Sequence, residues 1–267
     1  MTQSRAFLLT AVLVPLALGH PGLRAEPKGP PAPRTESPAA ATPVDPDTGS
    51  PDEIRSLLKR LDGTARFPAT GMVYAEIGGR PVILSDSGRF VVTGDLRILD
   101  VWNKEEIHSL ASAHEIFGKL DLEKIGIKDK DLARLRYGEG AKTVTVFIDP
   151  RCPHCHKLIE QMKDLTKEYA FDLVLAPVLG KDSGAISRKL WCEKDRKRAM
   201  KALIEQEYGG LVDYSAKDCD LVPLQKSLVS TRLLGIEGVP YVILPSKRVV
   251  KGEVNLKHVL EEDARRS

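Results

Sequence analysis

Long hydrophobic runs and an excess of charge of one sign are both lacking in this 267-residue chain. The longest apolar run, residues 6–18, is shorter than the roughly 20 residues that a membrane-spanning helix needs, which excludes a polytopic membrane protein. Lysine and arginine number 40 against 37 acidic residues, so we expect no nucleic-acid partner. The hydrophobic fraction of 42% is nevertheless sufficient for a folded core. At about 150 residues per domain, the length predicts one large domain or two small ones.

The N-terminus has the order of a secretory signal. Arg5 precedes the apolar run 6–18, and the small residues Gly19 and Ala25 follow it. A basic, apolar and small-residue order predicts a cleavable signal peptide over residues 1–25 and export of the remainder. A buried N-terminal helix is the alternative, and cleavage after Gly19 or after Ala25 stays open.

Proline is concentrated behind the signal, in residues 26–51, mixed with small and charged residues. Such a segment buries little apolar surface, which predicts a disordered leader. Asp52 is then expected to cap a short amphipathic helix that ends at Gly63. Residues 64–100 contain short β-prone runs separated by turn signals such as Gly78-Gly79, which predicts a small antiparallel sheet.

This predicted N-terminal domain, residues 52–102, is too small to fold readily alone, and no cysteine is present there to staple it. We therefore expect it to need a partner, most simply a second copy of the chain. The next segment, residues 103–140, has apolar residues at helical spacing as far as Leu135, which predicts a helical connector.

The remainder, residues 141–267, alternates between strand and helix patterns. Strands are predicted at 143–148, 171–176, 241–244 and 248–251, and helices at 153–169, 184–207, 220–234 and from Asn255 onward. The order β-α-β, helical insertion, β-β-α predicts a three-layer α/β domain.

Four cysteines are present, an even number that an exported protein can use for disulfides. Cys152 and Cys155 form a C-x-x-C motif where strand 143–148 passes into a helix. Cys152 is expected at the helix N-terminus, where free N–H groups and the helix dipole favour a thiolate, and Pro153 suits the first helical position. A hydrogen bond from His154 would stabilise the anion further. The motif thus predicts an easily broken disulfide with Cys155 as the shielded resolving thiol.

Three alternatives for the motif stay open on the residues alone. A structural Cys152–Cys155 disulfide would close a very small loop with little entropic value. A zinc site would require Cys192 and Cys219 as further ligands, although these two are better suited to pair with each other. The run from Cys152 to His156 also matches the attachment signature of c-type haem, although a buried strand leads directly into it. We predict no cofactor.

Val239-Pro240 stands at the head of a predicted buried strand. Proline there removes a ladder hydrogen bond, and a cis peptide bond is the common special backbone at such a position. A strand that ends in a helix-capping C-x-x-C, followed by Val-Pro before a hairpin and a last helix, resembles the thioredoxin fold with its cis-proline.

The resemblance extends to the DsbC/DsbG type of periplasmic thiol:disulfide interchange protein over roughly residues 52–262. It rests on 144–162, 190–195, 217–220, Ser85-Asp-Ser-Gly-Arg and Thr93-Gly-Asp. The resemblance implies an α/β thioredoxin fold with a helical insertion, preceded by a small α+β dimerisation domain and the helical connector. It also implies a homodimer in the periplasm whose two catalytic domains face misfolded or reduced exported proteins.

The resemblance implies roles for individual residues as well. Cys192 and Cys219 align with a structural disulfide of the family, and Val239 and Pro240 with the site that holds the substrate strand. A membrane thiol reductase of the DsbD kind would keep Cys152 reduced.

Two departures from the family pattern bear on the direction of the reaction. The Pro153-His154 pair is the dipeptide of the oxidase DsbA, and Val239 stands where the isomerase pattern has threonine. We predict a protein disulfide isomerase that acts on non-native disulfides of exported proteins. A DsbA-like dithiol oxidase and a holdase chaperone are the alternatives.

Overall fold

The computed structural model describes residues 59–68, 70–212 and 218–266. The predicted signal peptide 1–25, the predicted leader 26–51 and most of the predicted helix after Asp52 lie outside the described residues. Within the described ranges, no helix combines the length and the apolar character needed to cross a membrane.

The first part of the described chain is an antiparallel sheet, as the turn signals predict. It pairs four strands in sequence order, β1 (Gly63–Arg66), β2 (Met72–Ile77), β3 (Arg80–Ser85) and β4 (Val91–Val92). Gly78 and Gly79 form the turn between β2 and β3 at φ values of 58° and 71°, which glycine adopts without strain. Gly63, predicted to end a helix, instead begins β1.

Both faces of this sheet are covered, because the successive residues Tyr74 and Ala75 of β2 are both buried. Helix α1 (Leu110–Phe117) packs near Tyr74, and the Ser109 hydroxyl accepts a hydrogen bond from the Ser112 amide at 3.2 Å at the start of the helix. The two buried clusters are nevertheless small compared with the core of the C-terminal sheet.

The prediction of a helical segment over residues 103–135 is wrong for most of its length. Helix α1 is its only α-helix. The other elements between Ile98 and Tyr137 are β5 (Ile98–Asp100), β6 (Glu105–Ile107), a short 3-10 turn at Asp129–Asp131 and β7 (Arg134–Tyr137). Strands β5 and β6 form a separate hairpin, whereas β7 joins the C-terminal sheet.

The C-terminal sheet has five strands in the order β11-β10-β8-β9-β7. Its central strands β8 (Lys142–Ile148) and β9 (Tyr169–Leu175) are parallel and are connected through α2 (Pro153–Met162), as predicted. The other strands pair antiparallel, and they include β10 (Tyr241–Ile243) and β11 (Val249–Lys251). All seven residues of β9 are buried, so helices cover both of its faces.

Four further helices complete the described chain: α3 (Lys181–Cys192), α4 (Arg196–Glu205), α5 (Val222–Leu233) and α6 (Leu256–Arg266). The predicted helical stretch 184–207 is divided into α3 and α4. The division occurs because the Asp195 carboxylate accepts hydrogen bonds from the amides of Lys197 and Arg198, at 2.9 and 3.1 Å, and so caps a new helix.

The chain that follows α1 extends the C-terminal sheet at the edge of β11. The Leu120 amide donates to the Lys247 carbonyl and the Val249 amide to the Gly118 carbonyl, both at 2.8 Å. These bonds tie the segment after α1 directly to the sheet that carries the C-x-x-C motif.

Candidate active site

Cys152 lies at the N-cap of α2, immediately after the central strand β8, where the sequence places it. Pro153 is the first helical residue, and the Cys152 carbonyl accepts the amides of Cys155 and His156 at 3.1 and 3.2 Å. The Cys152 thiol donates to the Val239 carbonyl oxygen, with Sγ 3.4 Å from that oxygen. The motif and the Val-Pro segment, 87 residues apart, are therefore in direct contact.

The Val239–Pro240 peptide bond is cis, as predicted. Strand β10 starts at the next residue and pairs with β8 so that Tyr241 stands opposite Phe147. Because the two strands are antiparallel, the residues just before Tyr241 lie beside the end of β8, where the turn to Cys152 begins.

The two cysteines of the motif differ in their surroundings. Both are free thiols in the structure; Cys152 is 4% exposed, and Cys155 is completely buried. Burial raises the pKa of the Cys155 thiol far above its usual range, the neighbouring Cys152 raises it further, and a backbone hydrogen bond at Asp149 partly opposes the shift. Cys155 therefore stays protonated at neutral pH, which fits a resolving thiol.

His154 is exposed and directs its ring toward a residue that the sequence analysis did not single out. Its Nδ1 lies 2.7 Å from an oxygen of the Glu253 carboxylate, and the Lys157 ammonium lies 3.1 Å from the same oxygen. The hydrogen bond with His154, followed by that with Lys157, lowers the pKa of Glu253 below its usual range. The His154 ring therefore forms a hydrogen bond with Glu253, whereas the sequence analysis expected one to Cys152.

Asp149 anchors the turn that carries Cys152. It is fully buried, and its two carboxylate oxygens accept the amides of Arg151 and Leu179, each at 2.8 Å, while its carbonyl accepts the Cys152 amide at 3.0 Å. The sequence analysis treated Asp149 only as part of a turn. A signal was available, since an acidic residue directly after a buried strand requires partners.

The Pro150 carbonyl receives two hydrogen bonds, from the Tyr208 hydroxyl and from His156 Nε2, both at 2.8 Å. Burial, together with the charge of Asp149, raises the pKa of Tyr208 to about 12. No sequence motif points to Tyr208, which follows α4 in the helical insertion. His156 packs inside, and its other ring nitrogen, Nδ1, is buried without a partner.

Cys192 and Cys219 form a disulfide across 27 residues, with their Cα atoms 5.5 Å apart, as the resemblance implies. The disulfide joins the end of α3 to the segment before α5. Over the part of the chain that the structure describes, no group of three or more His, Cys, Asp or Glu side chains is arranged to hold a metal ion.

Comparison with known proteins gives a family and named relatives. Residues 130–261 match the family described as a thioredoxin-like domain. The thiol:disulfide interchange protein DsbC of Escherichia coli K12 is 27% identical over 181 residues, which cover 67% of this chain and 74% of that protein. DsbC of Dickeya dadantii is 29% identical over 208 residues, covering 74% of this chain and 80% of that protein.

Among solved structures, a disulfide interchange protein from Neisseria gonorrhoeae has a TM-score of 0.43 and 23% identity, covering 50% of this chain and 94% of that chain. The matched domain contains the C-x-x-C turn, the cis-proline and the sheet that brings them together. The match over residues 130–261 and the named relatives support a thiol:disulfide interchange protein of the DsbC type, and the chain is a disulfide oxidoreductase with a thioredoxin fold.

Proposed function

We propose that this protein isomerises non-native disulfides in exported proteins, with Cys152 as the attacking residue. The observation that carries the proposal is the unequal environment of the two thiols. Cys152 lies at a helix N-terminus against the Val239 carbonyl, and Cys155 is buried one turn behind it with a raised pKa. A helix N-terminus favours the thiolate, which is the nucleophile in disulfide exchange.

The reaction proceeds by two exchanges. The Cys152 thiolate attacks one sulfur of a substrate disulfide, so a mixed disulfide forms and one substrate thiolate leaves. A substrate thiolate then attacks the mixed disulfide, forms the new pairing and releases Cys152. If this attack fails, Cys155 loses its proton, attacks Cys152 and releases the substrate reduced.

Val239 and Pro240 are proposed to hold the substrate chain beside Cys152. The Val239 carbonyl is the acceptor for the Cys152 thiol, and it becomes available to a substrate amide when Cys152 enters a mixed disulfide. Backbone contacts of this kind are independent of the substrate sequence, as a protein that acts on many exported chains requires.

The cellular setting is part of the same proposal. We propose export through the predicted signal peptide, residence in the periplasm, and reduction of Cys152 by a membrane thiol reductase of the DsbD kind. A homodimer through the N-terminal sheet is supported by exposed apolar side chains there, including Phe90 and Val92 at 62% and 52% exposure. Sedimentation equilibrium tests the dimer.

A dithiol oxidase is the second candidate. It is favoured because Pro153-His154 is the dipeptide of the oxidase DsbA and because Val239 replaces the threonine of the isomerase pattern. In that reaction the Cys152–Cys155 disulfide accepts two electrons from a substrate dithiol, and the protein is released with both cysteines reduced. A membrane reoxidant would then be required.

Reactivation of scrambled ribonuclease tests the proposal. The mature protein at catalytic concentration, in a buffer with enough reduced glutathione to keep Cys152 reduced, should restore ribonuclease activity, and Cys152→Ser should abolish this. If the folded, reducible wild type fails to reactivate scrambled ribonuclease but oxidises reduced ribonuclease, the oxidase is favoured. If Cys152→Ser still suppresses aggregation of an unfolded protein as the wild type does, that chaperone activity is independent of the thiol chemistry.

A further inference from the structure

The Glu253 carboxylate contacts His154, the second residue of the dipeptide between the two motif cysteines. Glu253 lies on the loop between β11 and α6, 99 residues from His154 in the sequence. Its two carboxylate oxygens lie 3.1 and 3.2 Å from the Lys157 ammonium, and one of them is 2.7 Å from His154 Nδ1. Two residues of α2 that follow Cys152 by two and five positions thus share one carboxylate.

The chemistry of these contacts determines what Glu253 does to the site. An ionised carboxylate only accepts hydrogen bonds, so the ring nitrogen that faces it carries the proton. The hydrogen bond from Nδ1 to Glu253 therefore fixes the orientation of the His154 ring. The Cys152 thiol donates to the Val239 carbonyl oxygen. The negative charge of Glu253 also offsets the positive charge that Lys157 places on α2.

The other charged groups around the motif already have partners. Arg151 forms an ion pair with Asp182 at 2.8 Å, and the buried Asp149 carboxylate accepts two amides. Removal of the Glu253 charge therefore changes the electrostatic surroundings of His154 and Lys157 at the start of α2. It leaves intact the hydrogen bonds by which Asp149 holds the loop before Cys152.

We propose that Glu253 is a positioning residue that limits the oxidising strength of the Cys152–Cys155 pair by holding His154 and by offsetting the charge on α2. The proposal rests on thiol:disulfide interchange at Cys152 and holds for either reaction direction. It also gives a physical reason why a Pro-His dipeptide can operate on a DsbC-type protein. His154 is engaged by Glu253, which reduces its ability to stabilise the Cys152 thiolate.

Equilibration with glutathione measures this directly. The protein disulfide and two glutathione thiols exchange to give the protein dithiol and one glutathione disulfide, so stabilisation of the Cys152 thiolate moves the equilibrium toward the dithiol. In Glu253→Gln the side chain keeps its size and loses its charge. Because the His154–Glu253 contact is exposed, the effect of the lost charge is modest. We expect the equilibrium constant for reduction of the protein disulfide to rise by about two- to five-fold at low salt. The difference should shrink in 1 M salt, where the screening length is about 3 Å.

Two controls separate this role from a general effect of charge or folding. Glu262→Gln removes a carboxylate from another histidine pair, His258–Glu262 at 3.5 Å on α6, and should leave the equilibrium constant unchanged. In a His154→Ala background, Glu253→Gln should have less than half of its effect. Thiolate absorbance near 240 nm against pH gives a second readout, in which Glu253→Gln should form the thiolate at lower pH.

An unchanged equilibrium constant in Glu253→Gln would overturn the proposal, as would a fall in that constant or an equal effect in the His154→Ala background. Failure of the proposed isomerase function can be distinguished from failure of the proposal for Glu253. A wild type that equilibrates with glutathione but does not reactivate scrambled ribonuclease would contradict the isomerase and leave the test of Glu253 valid.

Discussion

At the scale of single residues, the contrast between the two motif thiols predicts a trapped intermediate. In Cys155→Ser the attacking Cys152 remains, but the buried thiol that releases a stalled substrate is lost. We expect mixed disulfides between Cys152 and substrate to accumulate, measured on non-reducing gels with mass spectrometry of the adducts. Cys152→Ser should form none, and equal amounts of adduct in both variants would contradict the assignment of the attacking thiol.

Asp149 predicts a stability effect at a second residue of the site. In Asp149→Asn the buried side-chain amide cannot accept from both Arg151 and Leu179 with two oxygens, so at least one of these backbone N–H groups loses its acceptor. The loss of one hydrogen bond to the buried charged side chain of Asp149 should lower the free energy of unfolding by about 1–3 kcal/mol, measured by urea denaturation. The exposed Asp182→Asn, which removes the partner of Arg151, should change it by about 0.5 kcal/mol or less.

Sequence reasoning located some residues of this site and missed others for a physical reason. Cys152 and Pro240 are recognisable because their residue types produce a local effect, a cap in one case and a special backbone in the other. Glu253 and Tyr208 are recognisable only through contacts with residues 99 and 58 positions away. Their own neighbourhoods in the sequence contain no motif, so only the folded chain reveals them.

At the scale of secondary-structure elements, one buried carboxylate helps to hold β7 at the edge of the sheet. Asp172 of β9 accepts from Arg134 Nη1 at 2.5 Å and from Arg136 Nη1 at 3.1 and 3.2 Å. These are the two outward-facing residues of β7, whereas Leu135 between them is buried in the core. The edge strand is thus held by packing on one face and by charge-assisted hydrogen bonds on the other.

Asp172→Ala should therefore loosen β7. We expect a loss of about 2 kcal/mol in the free energy of unfolding, because hydrogen bonds to a charged group are lost while both arginines can still reach water. Amide exchange in residues 134–137 should accelerate more than in β8. The control is Asp129→Asn, which removes a more exposed partner of Arg134 and should have an effect below about 0.5 kcal/mol. Unaltered exchange in β7 of Asp172→Ala would contradict this role.

The same strand explains why part of the fold escaped prediction. The central strands were predicted because their apolar runs are buried on both faces, a pattern that needs no knowledge of neighbours. Leu132, just before β7, and Leu135 within it stand three positions apart, as on a helix, and only four residues of β7 are extended. The alternation Arg-Leu-Arg favours a strand only once Asp172 is known to lie beside it.

At the scale of the whole molecule, stability at high pH depends on buried tyrosines in both parts of the chain. Burial raises the pKa of Tyr74 in the N-terminal sheet, and of Tyr208 and Tyr241 near the motif, to about 12. The ordinary value for tyrosine is about 10. Folding therefore favours the protonated form of each, so the unfolded chain releases these protons at lower pH.

The direction of the pH dependence follows from this difference. Below about pH 10 the tyrosines are protonated in both states, and their contribution to stability is fully present. Between pH 10 and 12 the unfolded chain ionises first, so each tyrosine lowers the free energy of unfolding by at most about 1.4 kcal/mol per pH unit. Urea denaturation at successive pH values should show this decline, and tyrosinate absorbance at 295 nm should rise together with unfolding. For Tyr241→Phe and for the wild type, the free energy of unfolding is compared with its own value at pH 8. The decrease between pH 10 and 12 should be smaller in Tyr241→Phe. An equal decrease would contradict the prediction, because Tyr241 would then ionise in the folded protein as it does in the unfolded chain.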